Sequence, residues 1–259
     1  DGVPHHLIDV LDPKEPFNVV LFKELATKAM DEIYARGRIP VIVGGTGFYI
    51  QAVLYDIHFD ENDDDKSYRT YLEQLAEKHG NLYLHQMLEK VDPASAAAIH
   101  YNNRKRVIRA LEFYKETGIP ISEHNEKESK RISPYNFEYF VLNDARSKLY
   151  DRIDRRIDIM VEQGLIEEVK ALKDQGYTKD LVSMQGLGYK EILDYLDGVT
   201  SLDEALYILK RDTRHFAKRQ ITWFKREKEV IWVDKNEFTS EDTIMDFMLE
   251  HLRSKGIIS

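Results

Sequence analysis

Between Arg38 and Asp56 the chain reads RIPVIVGGTGFYIQAVLYD, and no other stretch constrains the fold as tightly. Pro40-Val41-Ile42-Val43 is a short run rich in β-branched residues that stops at Gly44-Gly45-Thr46-Gly47. A helix-compatible segment, Phe48 to Leu54, follows at once. A strand that ends in glycines and a hydroxyl residue, then passes into a helix, is how many α/β folds bring backbone N–H groups up to a phosphate. Upstream, Leu21, Phe22, Leu25, Ala29, Ile33 and Tyr34 recur at helical spacing between Val19 and Arg36, and Gly37 closes the run. Helix, strand, glycine loop and helix in that order predict a parallel α/β core. The G-x-x-x-x-G-K-[ST] loop that completes many phosphate sites occurs nowhere in the 259 residues.

After Asp56 the pattern changes. The acidic DENDDDK (Asp60 to Lys66) reads as a solvated loop whose carboxylates could hold a cation weakly, and Lys66–His79 has Tyr68, Leu72 and Leu75 on one helical face. NLYLHQMLEKV and DPASAAAIH follow, each with a helix start signal, and no strand-like run occurs before Phe113. These features divide the chain into a first part of the core (1–57), a helical insertion (58–101) and a second part of the core (102–259). Within the last, Asn102 to Gly118 is helical, EYFVLN (138–143) and EVIWVD (229–234) are strands, and two long helical stretches lie between them, the first broken near Gly164.

Composition removes several functions. With no cysteine, disulfide frameworks, thiolate zinc sites and a cysteine nucleophile are excluded. No apolar run approaches the roughly 18 residues of a membrane span and no secretory signal is visible, so a cytoplasmic location is expected. A net charge of −9 argues against nonspecific nucleic-acid binding, but the cations are unevenly placed, clustering in NNRKRVIRAL, RIDRRIDI and RDTRHFAKRQITWFKREK.

Each candidate site has a plain structural reading beside the functional one. Gly44, Gly45, Thr46 and Gly47 could admit a ligand to the backbone or simply form a tight turn with Thr46 as N-cap. Arg106 and Arg109 share a helix face three residues apart, near a helix start whose dipole disfavours cations, so either an external anion or solvent balances them. Arg214, Lys218 and Arg219 lie within about one and a half turns, with Trp223 and Phe224 one turn on. Arginine forks suit phosphate and aromatics stack on bases, whereas the same Phe216, Ile221, Trp223 and Phe224 could belong to the core. Gln185, Tyr189 and Lys190 stand in a glycine-punctuated loop, and His5 and His6 are read as structural.

Taken in order, PHHLIDVLDP, RIPVIVGGTGFYIQAVL, VDPASAAAIHYNNRKRVIRALE, LYDRIDRRIDIMVEQGLIEEV, QGLGYKEIL and TRHFAKRQITWFKRE resemble the bacterial tRNA dimethylallyltransferases (tRNA isopentenyltransferases) over essentially the whole chain. The resemblance implies a P-loop-NTPase-like parallel core with a helical insertion. It implies transfer of a dimethylallyl group from dimethylallyl diphosphate to N6 of the adenosine 3′-adjacent to the tRNA anticodon, with Mg²⁺. It also implies that the P-loop part of the core belongs upstream of Asp1, so that this chain holds no metal ligands of its own and needs that loop for activity.

The resemblance assigns roles residue by residue. Thr46 and Arg214 are the catalytic candidates, with Gly44, Gly45 and Arg214 on the diphosphate side. The tRNA contacts are Thr46, Arg69, the run Lys105, Arg106, Val107, Ile108, Arg109, and the loop Gln185, Gly186, Leu187, Gly188, Tyr189, Lys190. They continue along Lys218, Arg219, Gln220, Ile221, Thr222, Trp223, Phe224 and Lys225. The expected partners are the tRNA anticodon stem-loop and dimethylallyl diphosphate, with no membrane and a monomeric protein. Readings left open are a noncatalytic tRNA-binding fragment, a small-molecule P-loop kinase and a dimethylallyltransferase acting on free adenylate.

Overall fold

Asn18 starts the first helix: its side-chain oxygen accepts the N–H of Leu21 at 3.0 Å, and α1 (Val19–Ala35) follows. A computed structural model describes residues 2–59 and 67–259. The Asp60–Lys66 acidic run, and the weak cation site considered there, lie outside the described residues. Helix α1 buries Ala26 and Met30 against Val53 of α2 (Gly47–Leu54), with Phe22 and Ile42 packed around them. The expected strand at 40–43 is not one. Val41 is 80% and Val43 91% exposed, and among the described residues no strand pairs with this stretch.

The described chain divides into two compact units, Asp1–Val53 with Tyr135–Ser259, and Leu54–Pro134. The second is all helical, built from α3 (Ser67–His79), α4 (Asn81–Val91), α5 (Pro93–Ala98), α6 (Arg104–Thr117) and α7 (Ile121–Ser129). Its core is Leu72, Leu84, Leu88, Val107, Ile108 and Leu111, so α6 belongs with α3 and α4. This compact unit, Leu54–Pro134, is wider than the 58–101 insertion read from the sequence, because the apolar stripe of α6 completes the core of the helices before it. Helix α7 escaped the sequence reading: ISEHNEKES carries Ile121 as its one apolar residue, and that residue packs on this core.

The junction between α4 and α5 rests on Asp92, which is almost fully buried. Its carboxylate caps α5 by accepting from Ser95 N at 2.9 Å, and accepts from Ser122 N at 3.0 Å and Ser122 Oγ at 2.6 Å. Burial pushes its pKa up, but the hydrogen bonds from Ser122 and Ser95 outweigh burial and hold it below the ordinary carboxylate range.

Returning to the first unit, β1 (Tyr139–Asn143) leads into α8 (Arg146–Glu162) and α9 (Leu165–Asp174). Gly164, at φ +100°, makes the break between those helices that the sequence foretold. A short 3-10 turn (Val182–Gln185), α10 (Tyr189–Leu196) and the 23-residue α11 (Leu202–Phe224) follow, then β2 (Val230–Asp234) and α12 (Glu241–Ser254). Strands β1 and β2 pair in parallel, Tyr139 with Val230 and Val141 with Trp232. Helices α8 to α11 close over Ile157, Val169, Met184, Ile192, Leu193 and Leu209. The α/β class is as expected, with the crossover between the paired strands made by helices.

Replacing Asp92 by Ala is expected to remove about 1–3 kcal/mol from the helical unit, since the N–H groups of Ser95, buried, and Ser122, half-buried, lose their acceptor. A carboxyl with a depressed folded pKa contributes fully above its unfolded value, near 3.8, and loses that contribution as pH falls through the folded value. Urea melts at pH 7 and pH 3 should therefore show a smaller pH-dependent difference in Asp92→Ala than in the wild type.

Candidate substrate and nucleic-acid site

The glycine loop and the basic helix meet. Gln220 on α11 donates its side-chain amide to the carbonyl of Gly45 at 2.9 Å, across 175 residues of sequence. A Cβ at Gly45 would come within 2.0 Å of Gln220 Nε2, and one at Gly47 within 2.2 Å of the Trp223 ring. Gly44, Gly45 and Gly47 all avoid positive φ, so the glycines at 45 and 47 serve close approach, not backbone freedom. Phe48 meets Trp223 edge-on, with ring centroids 6.3 Å apart. Thr46 is exposed between the two glycines, and its carbonyl accepts the N–H groups of Tyr49 and Ile50 at 2.9 and 3.2 Å at the start of α2.

Helix α11 has two faces here. Lys218, Arg219, Thr222 and Lys225 are exposed, with the Arg219 guanidinium 5.6 Å from the Phe216 ring centroid. Gln220, Ile221 and Trp223 are half-buried and Phe224 is buried, its ring edge-on to Tyr139 of β1. The side chain of Phe224 thus belongs to the core and cannot stack on a base. One turn earlier, Arg214 Nη1 donates to both oxygens of Asp154 on α8, at 2.6 and 2.7 Å. Among the described residues this pair engages one end of the guanidinium and leaves its other N–H groups for an anion. Asp154 went unnoticed in the sequence because its partner lies 60 residues away.

The 185–190 loop is held by its own side chains. Tyr189 O–H donates to Glu168, and that carboxylate, with burial, pushes the phenol up to about 12. Lys190 lies 3.2 Å from Glu191 and 3.8 Å from Asp212 of α11. Glu191, 3% exposed, accepts the N–H of Gly188 at 2.9 Å, fixing a glycine whose φ is +102°. Its signal was a glycine followed three residues later by glutamate, a capping pattern without the usual hydroxyl. Leu187 packs on the helical core, while Gln185 and Gly186 are exposed. Of the six loop residues, these two present themselves to a partner most openly.

The remaining expected contacts lie in the helical unit. Arg69 forms a two-pronged pair with Glu112, Nε at 2.9 Å and Nη2 at 2.6 Å, which joins α3 to α6. Lys105 and Arg106 are exposed, whereas Val107 and Ile108 are 0% and 3% exposed core residues, so their side chains cannot touch RNA. Arg106 and Arg109 line one hollow of about 360 Å³ with Ser95, Ser122 and Asn125, as their spacing of three predicts. Among the described residues no cluster of three or more His, Asp or Glu side chains is placed to hold a metal ion. No described helix is long and apolar enough to cross a membrane.

Comparison with known proteins gives the same direction over the whole chain. The profile of the IPP transferase family matches residues 1–227. A tRNA dimethylallyltransferase of Lachnoclostridium phytofermentans is 57% identical over 258 residues, covering 100% of this chain and 82% of the relative. The crystal structure of the full-length tRNA isopentenylpyrophosphate transferase of Bacillus halodurans is similar with a TM-score of 0.68 at 46% identity, over 98% of this chain and 80% of that one. A eukaryotic dimethylallyltransferase, solved acting on tRNA, gives a TM-score of 0.77 at 27% identity, over 98% of this chain and 66% of that one.

A phenol whose folded pKa is raised contributes stability below its unfolded value near 10 and loses it as pH rises through about 12. Wild-type protein should accordingly lose stability across that window. Tyr189→Phe should be less stable at neutral pH and show a smaller loss between pH 10 and 12 in denaturant titrations.

Proposed function

The chain belongs to the IPP transferase family, and on that footing we propose that it transfers a dimethylallyl group from dimethylallyl diphosphate to N6 of the adenosine 3′-adjacent to a tRNA anticodon. The observation that carries this reading is the seating of the Gly44–Gly47 loop on α11, which puts an exposed Thr46 hydroxyl residue on the same unit as the pinned Arg214. In the transfer, the allylic C1–O bond breaks and its electron pair leaves with diphosphate. The N6 lone pair forms the new C–N bond, and the amine loses a proton. An allylic cation forms readily once the leaving charge is neutralised, so the reaction asks for cations and positioning more than for a strong nucleophile. Arg214, oriented by Asp154, supplies a fixed guanidinium for that anion. Thr46, able to donate and accept, suits the edge of an adenine drawn out of a folded loop.

The exposed cations divide between the units. Lys218, Arg219 and Lys225 present a basic face on α11; on α6 Lys105 and Arg106 are exposed, and the half-buried Arg109 lines a hollow with Arg106. Phosphate contacts of this kind position an RNA without reading its sequence. On this reading Gln185 and Gly186 approach the anticodon loop, while Arg69 acts chiefly through Glu112.

The deciding experiment incubates the intact enzyme with dimethylallyl diphosphate, Mg²⁺ and unmodified tRNA, digests the RNA and weighs its nucleosides. An adenosine heavier by one dimethylallyl group is expected; tRNA binding without that product would reduce the protein to a binding module. Thr46→Ala should lower the transfer rate by on the order of 10² with tRNA affinity within about threefold. Arg106→Ala combined with Arg109→Ala should weaken tRNA binding and make its dependence on salt shallower, by a slope of about 1 to 2.

A further inference from the structure

We propose that Gln220 and Trp223 are positioning residues for the transfer step, which set the Gly44–Gly47 loop from beneath and so aim Thr46. This deepens, and rests on, the assignment of Thr46 to the adenine. The sequence grouped both residues with the RNA-contacting stretch of α11; their surroundings separate them from it. Both are uncharged and half-buried, whereas Lys218, Arg219 and Lys225 on the same helix are exposed.

The Gln220 amide holds the Gly45 carbonyl, which belongs to the peptide joining Gly45 to Thr46. That bond restricts rotation of the peptide immediately before the reactive-site hydroxyl. Trp223 acts on the other side of Thr46: its indole fills the space a side chain at 47 would occupy, and Phe48 abuts it. Thr46 is thereby flanked by two backbone positions, each seated on one α11 side chain. The spacing agrees, since residues 220 and 223 are three apart and share a helix face.

This arrangement explains why glycine occupies 45 and 47 although neither has a positive φ. Cβ distances of 2.0 and 2.2 Å to Gln220 and Trp223 are far inside contact. A side chain at either position forces the loop off the helix or the α11 residue out of its place.

The test uses the intact enzyme in single-turnover transfer to unmodified tRNA, with tRNA Kd measured over a range of salt and melting temperature checked for each variant. Gln220→Ala should lower the transfer rate by roughly 10- to 100-fold, as misplacement of a reacting group does, with Kd within about twofold and the salt slope unchanged. Gly47→Ala should be similarly impaired. In a Trp223→Ala background, however, its additional penalty should shrink to about threefold or less, because the indole it would strike is gone. Penalties that simply multiply would overturn the proposal, as would a Gln220→Ala defect seen in Kd. If the wild-type enzyme makes no prenylated adenosine, the functional reading fails separately. The positioning claim is then decided by NMR: the amide signals of Gly45 and Thr46 should move in Gln220→Ala, and unmoved signals would overturn it.

Discussion

Everything at the candidate site depends on a loop of small residues seated against the inner face of one long helix. The Gly45 carbonyl takes the Gln220 amide, and the missing side chain of Gly47 makes room for Trp223. A helix of 23 residues spans about 35 Å at 1.5 Å per residue, long enough to serve several neighbours. Its early turns pack Ala205 and Leu209 into the core, its middle pins Arg214 to Asp154, and its last turns hold the loop and bury Phe224 against β1. Because one rigid element carries all of these, the guanidinium and the loop keep a fixed relation without any direct bond between them. Lys218, Arg219 and Lys225 of the same helix remain exposed.

Charge in this protein is used locally. The net charge of −9 would repel RNA as an average, but several acidic residues are held by basic partners within their own unit. Asp154 holds Arg214, Glu112 holds Arg69, and Glu191 and Asp212 flank Lys190. A carboxylate that fixes a cation in place reduces its freedom more than its reach. That suits Arg214, where only one end of the guanidinium is taken. Arg69, with both prongs given to Glu112, is instead largely a strut between α3 and α6.

The helical unit is held by different means. Its apolar core is conventional, but the turn from α4 into α5 and the start of α7 converge on one buried carboxylate, Asp92. Capping an N-terminus with aspartate satisfies backbone donors and complements the dipole at once. The same unit presents Lys105 and Arg106 outward while Val107 and Ile108, the next residues along, lie in the core. A helix turns 100° per residue, so a contiguous run of five cannot all face one partner.

The sequence by itself determined the elements whose cause is local. The 3.6-residue stripes of α1, α3 and α6, the Asp-Pro start of α5 and the glycine break at 164 follow from side-chain periodicity, capping and backbone freedom within a few residues. It determined the family too, because several separated segments agree in order. What only the tertiary structure decided depends on partners far along the chain. The Val41–Val43 stretch has strand composition yet pairs with no strand among the described residues, since hydrogen bonds need a neighbouring segment that composition cannot promise. Helix α6 joined the insertion because its stripe fits Leu72, Leu84 and Leu88. Within the Lys218–Lys225 stretch, the division between exposed cations and loop-bearing Gln220 and Trp223 came from a contact across 175 residues. Local physics writes which face of a helix is apolar; which loop that face will carry is settled only when the chain has closed.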